Sequence, residues 1–141
     1  VQGVWNCCKA VMPAMRAQNS GAIVNIASVV AVAGQPGYLH YVASKGAVLA
    51  MTKGLAKELV KDKIRVNAIA PGVITTPFHE RFSTPQMLEG FKATIPMNRL
   101  GTAEECAGAF VYFASEQMSG YVTGQIIDVN GGQYMPWGSM A

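Results

Sequence analysis

The segment GAIVNIAS, residues 21–28, decides the fold. Ala22 to Ala27 reads as a continuous apolar strand of the kind buried on both faces of a parallel sheet. Its flanks agree. Before it, Trp5, Cys8, Val11, Met12 and Met15 recur with a 3.6-residue period, which predicts a helix from Val1 to about Gln18. Pro13 is expected to interrupt or kink that helix, and Asn19, Ser20 and Gly21 close it. After it, a loop through Gly34, Pro36 and Gly37 leads to a long helix over about Leu39 to Val60. A second buried strand, Ile64 to Ala70, ends at Pro71-Gly72. Thr84 and Pro85 suit an N-cap and first helical position, so a short helix is expected to run to about Ala93. Thr102-Ala-Glu-Glu105 is a capping box opening a helix, with Cys106, Phe110, Val111 and Phe113 on its apolar side. Gln125 to Val129 makes a third strand, ended by Gly131-Gly132. The alternation of strand and helix predicts an α/β fold whose parallel sheet is joined by right-handed crossovers.

The 141 residues suffice for one small domain with a core. Half are hydrophobic and only 13% are charged, so much of the chain is expected to be buried, internally or against another subunit. The net charge of +3 is small. Lys53, Lys57, Lys61, Lys63 and Arg65 alternate with Glu58 and Asp62 near a helix C-terminus, where cations complement the dipole; this reads as helix chemistry, not a nucleic-acid patch. No apolar run approaches the ~18–20 residues of a membrane span, and no signal peptide opens the chain. Cys7, Cys8 and Cys106 lack metal-ligand spacing and read as buried reduced thiols. A cytoplasmic protein without a metal is expected.

Tyr41 and Lys45 stand four apart in YVASK, residues 41–45, so a helix brings them onto one face roughly 5–6 Å apart. An ammonium beside a phenol favours the phenolate. Bringing a phenol from its ordinary pKa of about 10 toward 7 takes roughly 4 kcal/mol. Ser28 ends the first strand and offers a hydroxyl to polarise a substrate oxygen. In an open parallel sheet, ligands bind at the carboxyl ends of the strands, where Ser28 and Pro71-Gly72 both lie. These residues together point to carbonyl/alcohol chemistry.

GAIVNIAS, YVASK, RVNAIAPGVITTP (65–77) and VTGQIIDVNGG (122–132) resemble, in order and spacing, the short-chain dehydrogenase/reductase family. The resemblance implies the C-terminal part of a Rossmann-type doubly wound parallel sheet, and hydride exchange between NAD or NADP and a secondary alcohol or ketone. It implies Tyr41 as general acid/base, Lys45 as the group that binds the nicotinamide ribose and tunes Tyr41, and Ser28 as the residue orienting the substrate oxygen. It places Pro71, Gly72, Val73, Ile74 and Thr76, together with Tyr41 and Lys45, along the cofactor. Members carry a Gly-rich phosphate-binding turn in a preceding half. None occurs here, so residues 1–141 are expected to be a single partial domain, inactive alone.

Alternatives stand beside this. One is a non-enzymatic association module. Another is 3-oxoacyl-carrier-protein reductase activity, although the loop before Tyr41 lacks the Asn-rich pattern associated with it. A third, an epimerase or dehydratase, is disfavoured by the short tail after Gly132. His40 and His79 read as solvated loop histidines near the substrate, and Phe78 to Met97 as an apolar lid or ordinary core contacts. Ala43, Gly46, Ala47, Ala50 and Gly54 make a smooth helix face. In the resembled family such a helix packs against a second subunit, so a homo-oligomer, a tetramer by resemblance, is expected. Tyr134, Met135 and Trp137 are expected to cover a neighbouring subunit.

Overall fold

The computed structural model describes residues 1–135. In chain order its elements are α1 (Gln2–Ala17), β1 (Gly21–Ile26), α2 (Val30–Ala33), α3 (Leu39–Leu59), a 3-10 turn (Val60–Asp62), β2 (Ile64–Pro71), β3 (Ile74–Thr75), α4 (Pro77–Phe82), α5 (Pro85–Ala93), β4 (Gly101–Thr102), α6 (Ala103–Ala114), α7 (Glu116–Ser119) and β5 (Ile126–Val129). β1, β2 and β5 form one parallel sheet in that spatial order, and β3 pairs with β4 in a short parallel ladder. The α/β architecture, the three strands and the long helix are as the sequence predicts.

Alternate residues of β2 explain why the sheet needs cover on both faces. Ile64 and Val66 pack with Ile23 of β1, Cys8 and Met12 of α1, and Leu55, Ala56 and Leu59 of α3. Ala68 and Ala70 continue that face against Val48 and Leu49 of α3. Within α3 the buried residues Val48, Leu49, Thr52, Leu55, Ala56 and Leu59 follow helical spacing, so one stripe of the helix meets the sheet. Among them, Thr52 Oγ1 accepts from Asn25 Nδ2 at 2.9 Å, satisfying a polar side chain inside β1.

From β2's opposite face Arg65, almost fully buried, donates to the Phe113 carbonyl and Ser119 Oγ, both at 2.9 Å, and to Glu116 at 3.0 Å. That ties α6 and α7 to the second face. Asn67 does the same for the approach to β5: its Nδ2 donates to the Val122 carbonyl, and its Oδ1 accepts from the Gln125 N–H, both at 2.9 Å. Asn67→Ala would orphan a carbonyl and an N–H. Both groups are only partly buried, so the low end of the about 1–3 kcal/mol per group applies, and the substitution is expected to destabilise by about 2 kcal/mol. Urea unfolding checks this: the midpoint should fall with an unchanged slope. An unmoved midpoint would show that Asn67 does not join β2 to β5.

Several boundaries differ from the sequence reading. α1 runs through Pro13 without interruption. Only Cys8 and Met12 of its stripe are buried, because α1 lies over β1 at the sheet's flank and leaves Trp5 and Val11 at the margin, more than a third exposed. Cys7, expected to be buried, is exposed, because it neighbours the inward-facing Cys8 about a quarter of a turn round the helix. Val111 is 61% exposed, since two helical residues before the buried Phe113 lie nearly half a turn round α6. α2, α4, α7 and the β3–β4 ladder are each six residues or shorter, and periodicity over so few residues is weak. The caps were legible. Thr84 Oγ1 accepts from Met87 N at 3.2 Å, and Glu105 accepts from Thr102 N at 2.9 Å. Arg99 grips the Glu105 carboxylate with two nitrogens, at 2.8 and 2.6 Å. That pair, with the Thr102 N–H, holds the Glu105 pKa down to about 2.

Candidate active site

β1 delivers Ser28 to its position. The ladder hydrogen bonds continue past the strand, with Ala27 N donating to Ile69 O at 2.8 Å and Val29 N to Pro71 O at 2.9 Å. Ser28 is therefore held, buried, at the carboxyl end of the sheet. Its Oγ accepts from Val30 N at 3.4 Å, a long contact into α2 that leaves the hydroxyl hydrogen free to donate elsewhere.

Tyr41 and Lys45 lie on consecutive turns of α3. The Lys45 Nζ sits 5.7 Å from the centre of the Tyr41 ring, and donates to the Ile26 carbonyl at 2.9 Å. Burial pushes the Lys45 pKa below its ordinary value. No hydrogen bond joins Lys45 to the Tyr41 hydroxyl. The lysine is instead anchored to the end of β1, spending one of its three donors there.

Ser28 and Tyr41 line one cavity of about 680 Å³, with Gly72 and Val73 forming part of its wall. Phe78, Phe82, Met87 and Phe91 of α4 and α5 line it too, so part of the segment read as a lid or as core contacts belongs to this wall. Phe78 and Phe82 pack with ring centres 5.0 Å apart and planes tilted by 44°. Pro71 ends β2, pairing with Val129. Gly72 follows so close to β5's end that a Cβ there would stand 2.9 Å from the Asn130 Cα. Ile74 lies in β3 and lines, with Val73, a second cavity of about 410 Å³. Thr76 is the N-cap of α4, yet its side chain makes no capping hydrogen bond. Lys45, Pro71, Ile74 and Thr76 thus stand around the Ser28–Tyr41 cavity and not in its wall.

Two readings of the histidines change. Both line the cavity, and both lie in helices. His40 occupies the first turn of α3. His79 belongs to α4, with its Nδ1 2.8 Å from Ser83 Oγ and its ring edge-on to Phe78 and Phe91. The sequence reading also passed over Gln35, Tyr38 and Gln133, which complete the wall. Gln133 directly follows the Gly131-Gly132 pair that ends β5, and this position at the carboxyl end of a strand was the available signal.

Residues 1–133 match a family model described as enoyl-(acyl carrier protein) reductase, and the chain belongs to the short-chain dehydrogenase/reductase family. A Thermotoga maritima relative is 46% identical over 132 residues, covering 94% of this chain and 53% of the relative. One from Staphylococcus aureus strain Mu50 is 42% identical over 135 residues, covering 96% and 54%. One from Chlamydia muridarum is 43% identical over 129 residues, covering 92% and 51%. All three carry the name 3-oxoacyl-(acyl-carrier-protein) reductase. The chain spans about half the length of these curated relatives.

Proposed function

We propose that this chain is the catalytic part of an NAD(P)-dependent reductase that converts the ketone of a 3-oxoacyl thioester to a secondary alcohol. The observation that carries the reading is the shared cavity of Ser28 and Tyr41, lined by Phe78, Phe82 and Phe91, with the Lys45 ammonium 5.7 Å from the centre of the Tyr41 ring. Both hydroxyls donate to the ketone oxygen, and Tyr41 passes its proton there as the carbon becomes tetrahedral. NAD or NADP, when bound, supplies the hydride. The residues fit such a group. Lys45 keeps two donors beyond the Ile26 carbonyl for a ribose, the Thr76 hydroxyl is uncommitted, and the Gly72–Val73 backbone borders the cavity. A companion half of the same enzyme, in this reading, carries the Gly-rich turn that holds the pyrophosphate.

The loop before Tyr41 argued against a 3-oxoacyl substrate, whereas the relatives' names and the apolar lining favour one. A purely associative module leaves the two hydroxyl-bearing residues of this cavity without a role. The test is the full-length enzyme given acetoacetyl thioester and a panel of ketones with NADH or NADPH. Oxidation of the reduced cofactor is expected, with the thioester preferred. No oxidation with any pair would overturn the assignment.

The same proposal includes a cytoplasmic homo-oligomer, a tetramer by family resemblance. No described helix is long and apolar enough to cross a membrane. On α3, Ala43, Ala50 and Gly54 are exposed, and Gly46 and Ala47 half-buried, leaving a smooth face for a second copy. Gly54 has open space around it. Met135 is exposed, and Trp137 lies outside the described residues. Ala50→Arg is expected to split the assembly in analytical sedimentation, since a self-complementary interface meets the added charge twice. A monomeric parent would return those residues to intramolecular packing.

A further inference from the structure

The buried oxygen of Gln133 has no use within the fold. Gln133 Oε1 is, among the described residues, the one buried side-chain polar atom without a hydrogen-bond partner. Its orientation is set by a chain of donors. The Thr94 hydroxyl gives its hydrogen to the Phe91 carbonyl at 2.7 Å, so Thr94 Oγ1 can only accept from Gln133, which it does from Nε2 at 3.1 Å. The amide is thereby turned with its oxygen toward Gly72. A Cβ at Gly72 would stand 3.1 Å from Oε1, so the glycine makes room for that buried oxygen beside the backbone. Gln133 and Gly72 belong to the same cavity wall as Ser28 and Tyr41.

A buried carbonyl left unpaired costs stability, and a ligand that supplies a donor recovers it. We infer that Gln133 is a specificity-determining residue whose Oε1 accepts a hydrogen bond from an amide N–H of the substrate, beside the ketone that Ser28 and Tyr41 hold. The inference rests on the reductase reading above. An N–H has two sources here, the substrate and the carboxamide of the nicotinamide, and the experiment separates them. Thr94 acts through Gln133 as a positioning residue.

The probes are acetoacetyl-N-acetylcysteamine thioester, which bears an amide N–H, and its N-methyl analogue, which does not. Both are given to the full-length enzyme, with turnover followed by cofactor oxidation, binding by calorimetry, and NADH or NADPH affinity by fluorescence. The wild type is expected to favour the N–H probe about tenfold in KM and in binding, the effect of one hydrogen bond, with similar kcat. Gln133→Leu should raise KM for that probe alone and erase the preference, leaving cofactor Kd unchanged. Thr94→Val should erase part of it, because the amide is then free to flip. A wild type without preference, or a preference that survives Gln133→Leu, would overturn the assignment. Weakened cofactor binding in Gln133→Leu, with the probe preference intact, would give the oxygen to the nicotinamide instead. If neither probe is reduced, the reductase reading fails, while calorimetry still decides whether Gln133 reads the N–H.

Discussion

Tyr41→Phe in the full-length enzyme is expected to lower kcat by roughly 10²–10⁴-fold, the range for loss of a general acid–base group. The substitution removes one oxygen from a side chain that is 40% exposed, and Tyr41 makes no side-chain hydrogen bond in the structure, so the fold gives up nothing. Cofactor affinity should be nearly unchanged, because Lys45 and the Gly72–Val73 backbone are untouched. KM should move little if Ser28 still holds the ketone oxygen. A drop in kcat and kcat/KM together marks an interaction made in the transition state. Turnover within a few-fold of the parent would remove Tyr41 from the mechanism. The cavity would then be a binding pocket whose chemistry lies elsewhere.

The parts legible in the sequence were those with long or redundant signals. β1 and β2 read as buried strands because helices cover both faces, leaving Ile23, Val66 and Ile69 no polar side to show. The α6 start was written in Thr102 and Glu105, where two short side chains satisfy each other's neighbouring N–H groups. Ser28 and Tyr41 were found because strand end and helical spacing both have a fixed geometric meaning. His79 was read as a loop residue because α4 is only six residues long and follows a two-residue strand, and neither leaves a periodic trace. His40 was read so because it stands at the very start of α3, next to the preceding loop. Trp5 and Val11 were misplaced for another reason. Their spacing is right for an apolar stripe, but spacing does not say how wide a surface the helix finds beneath it.

Lys45→Met is expected to lower kcat by roughly 10²-fold or more, the scale for removing one preorganised electrostatic group, and also to weaken cofactor binding. The two effects have separate origins. Turnover falls because the ammonium no longer stands 5.7 Å from the Tyr41 ring, where it favours the phenolate. Cofactor affinity falls because the donors left over from the Ile26 carbonyl are lost. Unfolding can be separated from both by its pH dependence. Burial lowers the Lys45 pKa in the folded chain, so the unfolded chain holds that proton more tightly. Wild-type stability should therefore rise with pH between the folded value and the ordinary 10.5, while the Met variant lacks that contribution. Relative to wild type, the variant should be favoured most at neutral pH, and its advantage should fade as pH climbs through that interval. Thermal midpoints across pH read this sign, and fluorescence titration reads cofactor Kd. Lost turnover with an unchanged Kd would leave Lys45 its role toward Tyr41 and withdraw the ribose contact. A Kd that weakens with turnover intact would do the reverse.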